Sequence, residues 1–259
     1  MRIVVSCWDE TVRMLLPHAR DIDDTELERL YDYPAELSRP WVQVNFVSSP
    51  DGAVTVGGKS HGLSGPADKK VFMLGRTLAD VVLVGAGTAA IEGYGGVKSG
   101  EVRSAVRARL GLRPVPPIAV VTRRATIAPD SPLVTDTVVP SIVLTCASAP
   151  EDRLTALSDA GADVVITGDA DVDLSVAMAE LDKRGLRRVS CEGGPHLFGG
   201  LIEAGLVDQL CLSISPLLAG GDASRIAFGP PPVAPRELEL ASVLTDENFL
   251  MLRYRARHA

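Results

Sequence analysis

Val81-Val82-Leu83-Val84-Gly85-Ala86-Gly87-Thr88 decides the class of fold. A continuous branched apolar run with no polar alternation is what a strand needs when both of its faces are covered. The run ends directly in glycines, which turn the chain and can open a helix. The same grammar extends outward. Residues 41–47, 118–122, 142–145, 164–167 and 187–191 read as strands; residues 66–79, 102–110, 151–160, 174–184 and 195–204 read as helices. Strand–helix alternation with buried strands predicts an α/β fold with a mainly parallel sheet and helices on both faces. Residues 206–215 and 248–256 read as later strands, expected to pair antiparallel.

Two strand ends are rich in glycine. At the first, Gly85, Ala86, Gly87 and Thr88 match the local spacing of the G-x-G-x-x-G/A dinucleotide fingerprint, closing with Ala90. Glycines there let the backbone approach a phosphate, and helix N–H groups hold it. A Rossmann unit also wants an acidic residue roughly 20 positions on. Here that region is the Arg-rich stretch 102–110, so a nucleotide fits better than a Rossmann fold. A plain strand–helix turn fits the glycines too. At the second end, Cys191-Glu192-Gly193-Gly194-Pro195-His196-Leu197 runs on through Phe198 to Gly199-Gly200. Pro195 suits the first turn of a helix, and the loop suits the other end of a pyrophosphate, or simply a turn. A third strand ends in Thr122-Arg123-Arg124. A hydroxyl and two guanidinium groups suit a 2′-phosphate, hence NADP rather than NAD, although a solvated basic turn reads the same.

The 259 residues suffice for one large α/β domain or two small ones, and no linker divides them. Aromatic residues make up 4%, so the core must be built from Val, Leu, Ile and Ala. The net charge of −7 argues against broad binding to nucleic acid or an anionic membrane. The cysteines, Cys7, Cys146, Cys191 and Cys211, form no C-x-x-C pair and no zinc-spaced cluster, so reduced thiols and no metal site are expected. Neither a signal peptide nor a spanning run is evident, which predicts a cytoplasmic protein. Residues 1–40 read as an N-terminal extension, with a short helix near 26–31 capped by Asp24 or Thr25, ahead of a domain spanning 41–259.

Taken in order, several segments resemble the pyrimidine reductases of riboflavin biosynthesis, the reductase half of the bacterial deaminase–reductases. They are VQVNFVSSPDG at 42–52, SHGLSGP at 60–66 with Arg76 beyond it, ADVVLVGAGT at 79–88, Glu192-Gly193-Gly194, and Gly205-Leu206-Val207-Asp208. The resemblance implies a dihydrofolate-reductase-like fold, a homodimer, and NADPH reducing the ribosyl group of 5-amino-6-(5-phosphoribosylamino)uracil. It places Val47, Thr88, Glu92, Thr122 and the 194–200 loop near the cofactor, and Asp51, Ser60, Arg76 and Glu192 near the substrate. None of His18, His61, His196 or His258 begins an H-x-E, and P-C-x-x-C is missing, so no zinc deaminase half is expected. Gly62, Pro50 and the Gly93-Tyr94-Gly95-Gly96 stretch depart from the family pattern around the substrate.

Reduction of a C=N bond needs a proton as well as a hydride. Asp51 is the expected donor, as a carboxyl whose pKa a dry pocket would raise; an Asp-Gly turn residue is the alternative. Glu192 is the second carboxyl. Ser60 and Arg76 suit a substrate phosphate, while Arg76 also suits an exposed helix end. A dihydrofolate- or dihydropteridine-type reductase and a non-catalytic NADP-binding protein stand as alternative functions.

Overall fold

The computed structural model describes residues 12–257, so Cys7 and His258 lie outside the described residues. The chain opens with β1 (Val12–Leu16) and β2 (Arg20–Ile22), then α1 (Asp24–Tyr31), β3 (Trp41–Ser48), α2 (Pro66–Leu78), β4 (Val81–Gly85), α3 (Ala86–Glu92) and α4 (Ser104–Arg109). It continues through β5 (Ile118–Val121), α5 (Pro132–Thr135), β6 (Ile142–Thr145), α6 (Glu151–Asp159), β7 (Asp163–Ile166), α7 (Leu174–Lys183), β8 (Arg188–Cys191) and α8 (Pro195–Glu203). Three strands finish it: β9 (Gln209–Ile214), β10 (Leu238–Asp246) and β11 (Phe249–Ala256).

One sheet takes every one of these strands, in the order β2-β1-β10-β11-β9-β3-β8-β4-β5-β6-β7. From β9 to β7 all neighbours are parallel, and from β9 outward to β2 all are antiparallel. The β4 run that decided the class behaves as its composition requires. Val81 and Leu83 face one core with α7 and α8, through Met178, Leu181 and Leu201. Val82 and Val84 face another with Ala89, Ile118 and Val120.

Residues 12–40 join the same sheet rather than standing apart. β1 pairs with β10, and Met14, Ile22, Leu27 and Tyr31 share a core with Val71, Leu74 and Met251. Buried Lys70 of α2 pairs with Asp24 at 2.9 Å. The cap of α1 is Asp23, whose carboxylate accepts the Glu26 N–H at 2.8 Å, one residue before the expected Asp24. A third strand of the antiparallel group, β10, was not legible beforehand.

Candidate active site

The two glycine-rich strand ends meet. β4 and β8 are parallel neighbours, so their carboxyl ends lie side by side, and the Gly85 N–H donates to the Gly193 carbonyl at 3.0 Å. Gly193 and Gly194 both adopt the left-handed region, with φ of 102° and 87°. A Cβ on Gly194 would sit 3.2 Å from the Thr88 hydroxyl and 3.6 Å from the Gly85 Cα, so glycine is required for the close approach. A Cβ on Gly87, by contrast, would meet nothing within 4 Å, because that residue faces an open cleft.

The cleft has a volume of about 980 Å³ and runs over the carboxyl ends of β4, β5 and β8. Gly85, Ala86, Gly87, Thr88, Thr122, Arg123, Arg124, Gly194, Pro195, His196, Leu197 and Gly200 line it. Of the residues expected at the cofactor, Gly193, Phe198 and Gly199 line neither this cleft nor the adjoining cavity. Phe198 is buried and stacks on Phe46 at 5.2 Å between ring centroids. Gly199 is pressed against the carbonyl of Phe228, where a Cβ would overlap at 2.2 Å. These three build the loop's support. The Arg123 side chain is exposed, donates to the Ala170 carbonyl at 3.2 Å and lies 3.9 Å from Asp171.

A second cavity of about 390 Å³ adjoins the first, and both are lined by Thr88, Ile91, Gly194 and Pro195. Ser60, Glu92, Glu192 and Val47 line this smaller cavity, as do Asn45, His61, Ser64, Asp68, Lys69, Phe72 and Tyr94. Glu92 fixes the loop over it by accepting the Ser60 N–H at 2.8 Å. A crevice at the carboxyl ends of parallel strands is where open α/β sheets bind ligands.

Two expected site residues take other duties. Arg76 does not present its guanidinium to the smaller cavity. It is 9% exposed, and its Nε and Nη2 donate to the two Glu192 carboxylate oxygens at 2.6 and 2.7 Å. Its Nη1 donates to Glu101, and its charge lies over the Phe72 and Tyr94 rings. Burial opposes the Arg76 charge, but Glu192 outweighs it and raises the pKa. With its fork filled by carboxylates, Arg76 is a holder of Glu192. The Tyr94 hydroxyl adds a third donor to Glu192 at 2.9 Å. Burial and the neighbouring Glu192 push the Tyr94 pKa well up, so this hydroxyl keeps its proton.

Asp51 also departs from expectation. It lines neither cavity, and its carboxylate accepts the Ser49 hydroxyl, the Gly220 N–H at 2.7 Å and the Ala219 N–H at 3.4 Å. The Ser49 and Gly220 hydrogen bonds hold its pKa below the ordinary carboxylate value. The expectation of a raised pKa in a dry pocket is corrected, because a carboxylate stabilised by several donors is a poor proton store.

A buried carboxyl of the cavity that the sequence did not single out is Asp68, which, unlike Glu192, has no guanidinium against it. It stands in the first turn of α2, where an acidic residue reads as ordinary helix-dipole complement. The missed signal is its place one turn before Val71 and Phe72, on the helix face that packs inward.

Comparisons with known proteins agree with this arrangement. The RibD C-terminal domain family profile matches residues 40–252. The 2,5-diamino-6-ribosylamino-4(3H)-pyrimidinone 5′-phosphate reductase of Archaeoglobus fulgidus is 31% identical over 194 residues, covering 74% of this chain and 87% of that protein. The reductase of the same name from Methanothermobacter thermautotrophicus is 29% identical over 188 residues, covering 72% and 82%. In fold, a pyrimidine reductase-like protein from Corynebacterium diphtheriae superposes with a TM-score of 0.75 at 24% identity, covering 85% of this chain and 93% of that one. The chain therefore belongs to the RibD C-terminal domain family, the reductases of riboflavin biosynthesis, and it carries an α/β fold with a mainly parallel sheet like that of a pyrimidine reductase-like protein.

Proposed function

We propose that this protein uses NADPH to reduce the ribosyl group of 5-amino-6-(5-phosphoribosylamino)uracil, or of its 2,5-diamino pyrimidinone counterpart, to a ribityl chain. The observation that carries the reading is the pair of cavities meeting at Thr88, Ile91, Gly194 and Pro195. The larger has the glycine cradle and length for a dinucleotide, and the smaller has polar groups for a heterocycle and its sugar. When bound, the nicotinamide supplies the hydride. The chain's own residues do the rest. Gly85–Thr88 and Gly194 accept the close approach of a pyrophosphate, while Thr122, Arg123 and Arg124 offer donors to a 2′-phosphate. The clamped Glu192, whose Oε1 accepts one hydrogen bond and Oε2 two, offers its remaining acceptor capacity at Oε1 to a pyrimidine N–H. Lys69 and the Ser60 hydroxyl offer donors to the ribose phosphate, the role expected of Arg76.

The assay is loss of NADPH absorbance with each pyrimidine phosphate and with a dihydropteridine. Turnover confined to the pyrimidine phosphates is expected, and turnover of the pteridine alone would replace the reading. NADPH should bind more tightly than NADH, and Arg123→Ala should narrow the gap. A charged phosphate contact is worth about 1.5–3 kcal/mol. Equal affinities, unchanged in the variant, would refute the 2′-phosphate assignment.

We further propose a cytoplasmic homodimer. Cys146, Cys191 and Cys211 are buried free thiols, and no helix among the described residues is long and apolar enough to cross a membrane. β9 and β11 have both edges paired, so they cannot extend the sheet into a partner. Their half-covered face, with Leu212, Leu250, Leu252 and Tyr254 alongside exposed Leu240 of β10, offers an apolar surface for one. Light scattering should give twice the chain mass, falling to one in Leu252→Glu.

A further inference from the structure

Three carboxyl groups, Asp68, Glu92 and Glu192, line the smaller cavity. Glu92 accepts the Ser60 N–H, and Asp68 and Glu192 stand in opposite environments. Glu192 is held by the Arg76 fork and the Tyr94 hydroxyl, which fixes it as an acceptor. Asp68 is 5% exposed, and among the described residues no cationic group pairs with its carboxylate within 4.0 Å. It accepts the Ser64 hydroxyl, the Ser213 hydroxyl also faces it, and Val47 and Phe72 line the same cavity. Burial pushes the Asp68 carboxyl up, with the Ser64 and Ser213 hydroxyls and the Lys69 charge pulling back less strongly. The charged and titratable groups facing it are Lys69 on its own helix, Tyr31 beneath, and His61, Glu92, Tyr94 and Glu192 around the cavity. A cavity carboxyl whose charge burial disfavours can serve as a general acid, whereas one filled by a guanidinium fork is left to bind.

Resting on the functional reading above, we propose that Asp68 is the proton donor of the reduction and delivers its carboxyl proton to the nitrogen of the ring-opened ribosylamine. Ring opening moves the exocyclic N–H proton to the ring oxygen and leaves a C=N bond. Hydride from the reduced nicotinamide forms the new C–H bond at the sugar carbon, and the π pair moves to nitrogen. That nitrogen takes the Asp68 proton as the carboxyl O–H breaks. The products are a secondary amine, oxidised nicotinamide and a carboxylate that water reprotonates. Asp51, exposed and already satisfied, has no part in this transfer.

The experiment pairs kinetics with a measurement that needs no turnover. Asp68→Asn should lower kcat by about 10²–10⁴, the usual worth of general acid assistance. NADPH affinity should stay within about twofold, since Asp68 does not line the larger cleft. Asp68→Glu should retain part of the lost rate. In wild-type protein without ligands, carbon-13 NMR of carboxyl-labelled aspartate should show one resonance titrating above the ordinary carboxylate range, absent from Asp68→Asn. An active wild type with an equally active Asp68→Asn overturns the proposal alone, as does an Asp68 resonance with an ordinary midpoint, whatever the variants' folding. A wild type inert toward both pyrimidine phosphates overturns the functional reading, and the donor role falls with it.

Discussion

Arg76 and Glu192 show how a residue's type can be legible while its duty is not. A guanidinium two residues before the end of α2 fits a phosphate, and nothing local says that a carboxylate 116 positions away fills its fork. Removing one partner of a buried ion pair strands the other, at a cost of about 3–5 kcal/mol. Arg76→Ala should therefore lower the urea midpoint and raise KM to the same degree for phosphorylated and dephosphorylated substrate. A selective loss with the phosphorylated one would restore Arg76 as its ligand. Gly194 is the opposite case, because a glycine doublet after a strand announces its backbone. At φ 87°, against the Thr88 hydroxyl and the Gly85 Cα, an alanine meets both strain and contact. Gly194→Ala should cost about 1–3 kcal/mol and weaken cofactor binding by calorimetry. Asp51 and Asp68 complete the contrast. An Asp-Gly turn at a strand end looks like chemistry and holds the N–H groups of residues 219–220, whereas an acid in a first helical turn looks like a cap. Burial separates them, and burial depends on what packs over the residue.

At the scale of elements, the parallel half of the sheet was readable because its strands are continuous apolar runs between glycines and helical periods. β4, β5, β6 and β8 fall within a residue or two of their expected bounds. The antiparallel edge was not. β10 begins with exposed Leu238, Glu239 and Leu240 after a long Gly- and Pro-rich stretch, and β1 and β2 are short and largely exposed. Such strands are defined by the neighbours they pair with rather than by their own composition. Helix ends depend on distant residues too. α2 has its last carbonyls taken by Arg107 of α4, which is 1% exposed. Its Nη1 donates to the carbonyls of Arg76, Thr77 and Ala79 at 3.0, 3.0 and 2.8 Å, and its Nε to that of Arg113 at 2.6 Å. Burial pushes the Arg107 pKa down to about 10, yet the group stays charged at neutral pH and satisfies a helix terminus that would otherwise be orphaned. Arg107→Ala should destabilise the fold by about 2–4 kcal/mol, through unmet carbonyls and a cavity. Because the same helix carries Asp68 and Arg76, kcat should fall as well. A variant with wild-type urea midpoint would show that water replaces the guanidinium.

For the whole molecule, α2 places a buried acid in the wall of the smaller cavity, and that placement has a thermodynamic signature. The sign follows from which state holds the proton. Asp68 has a raised pKa when folded, because burial disfavours its charge, and an ordinary one when unfolded. Below the ordinary carboxylate range both states are protonated, and the residue contributes no pH dependence. As pH climbs through that range toward the folded value, the unfolded chain releases its proton while the native protein keeps one. Stability then falls with pH, since the native state binds more protons. Above the folded value both are ionised, and the penalty is constant, about 1.4 kcal/mol for each unit of displacement. Asp68→Asn keeps the shape and removes the charge, so it should match wild type at acid pH. It should become progressively more stable than wild type through that window, and hold a fixed advantage beyond it. In a chain of this size each kcal/mol appears as about 2–4 °C in Tm. Scanning calorimetry of both proteins across the range reads the difference directly, with every other titrating group common to the two. A gap that stays constant with pH, or one that favours wild type as pH rises, would mean that Asp68 is ionised and compensated in the folded state. A gain in stability with a loss of turnover is the pattern expected of a residue kept for chemistry at the expense of the fold.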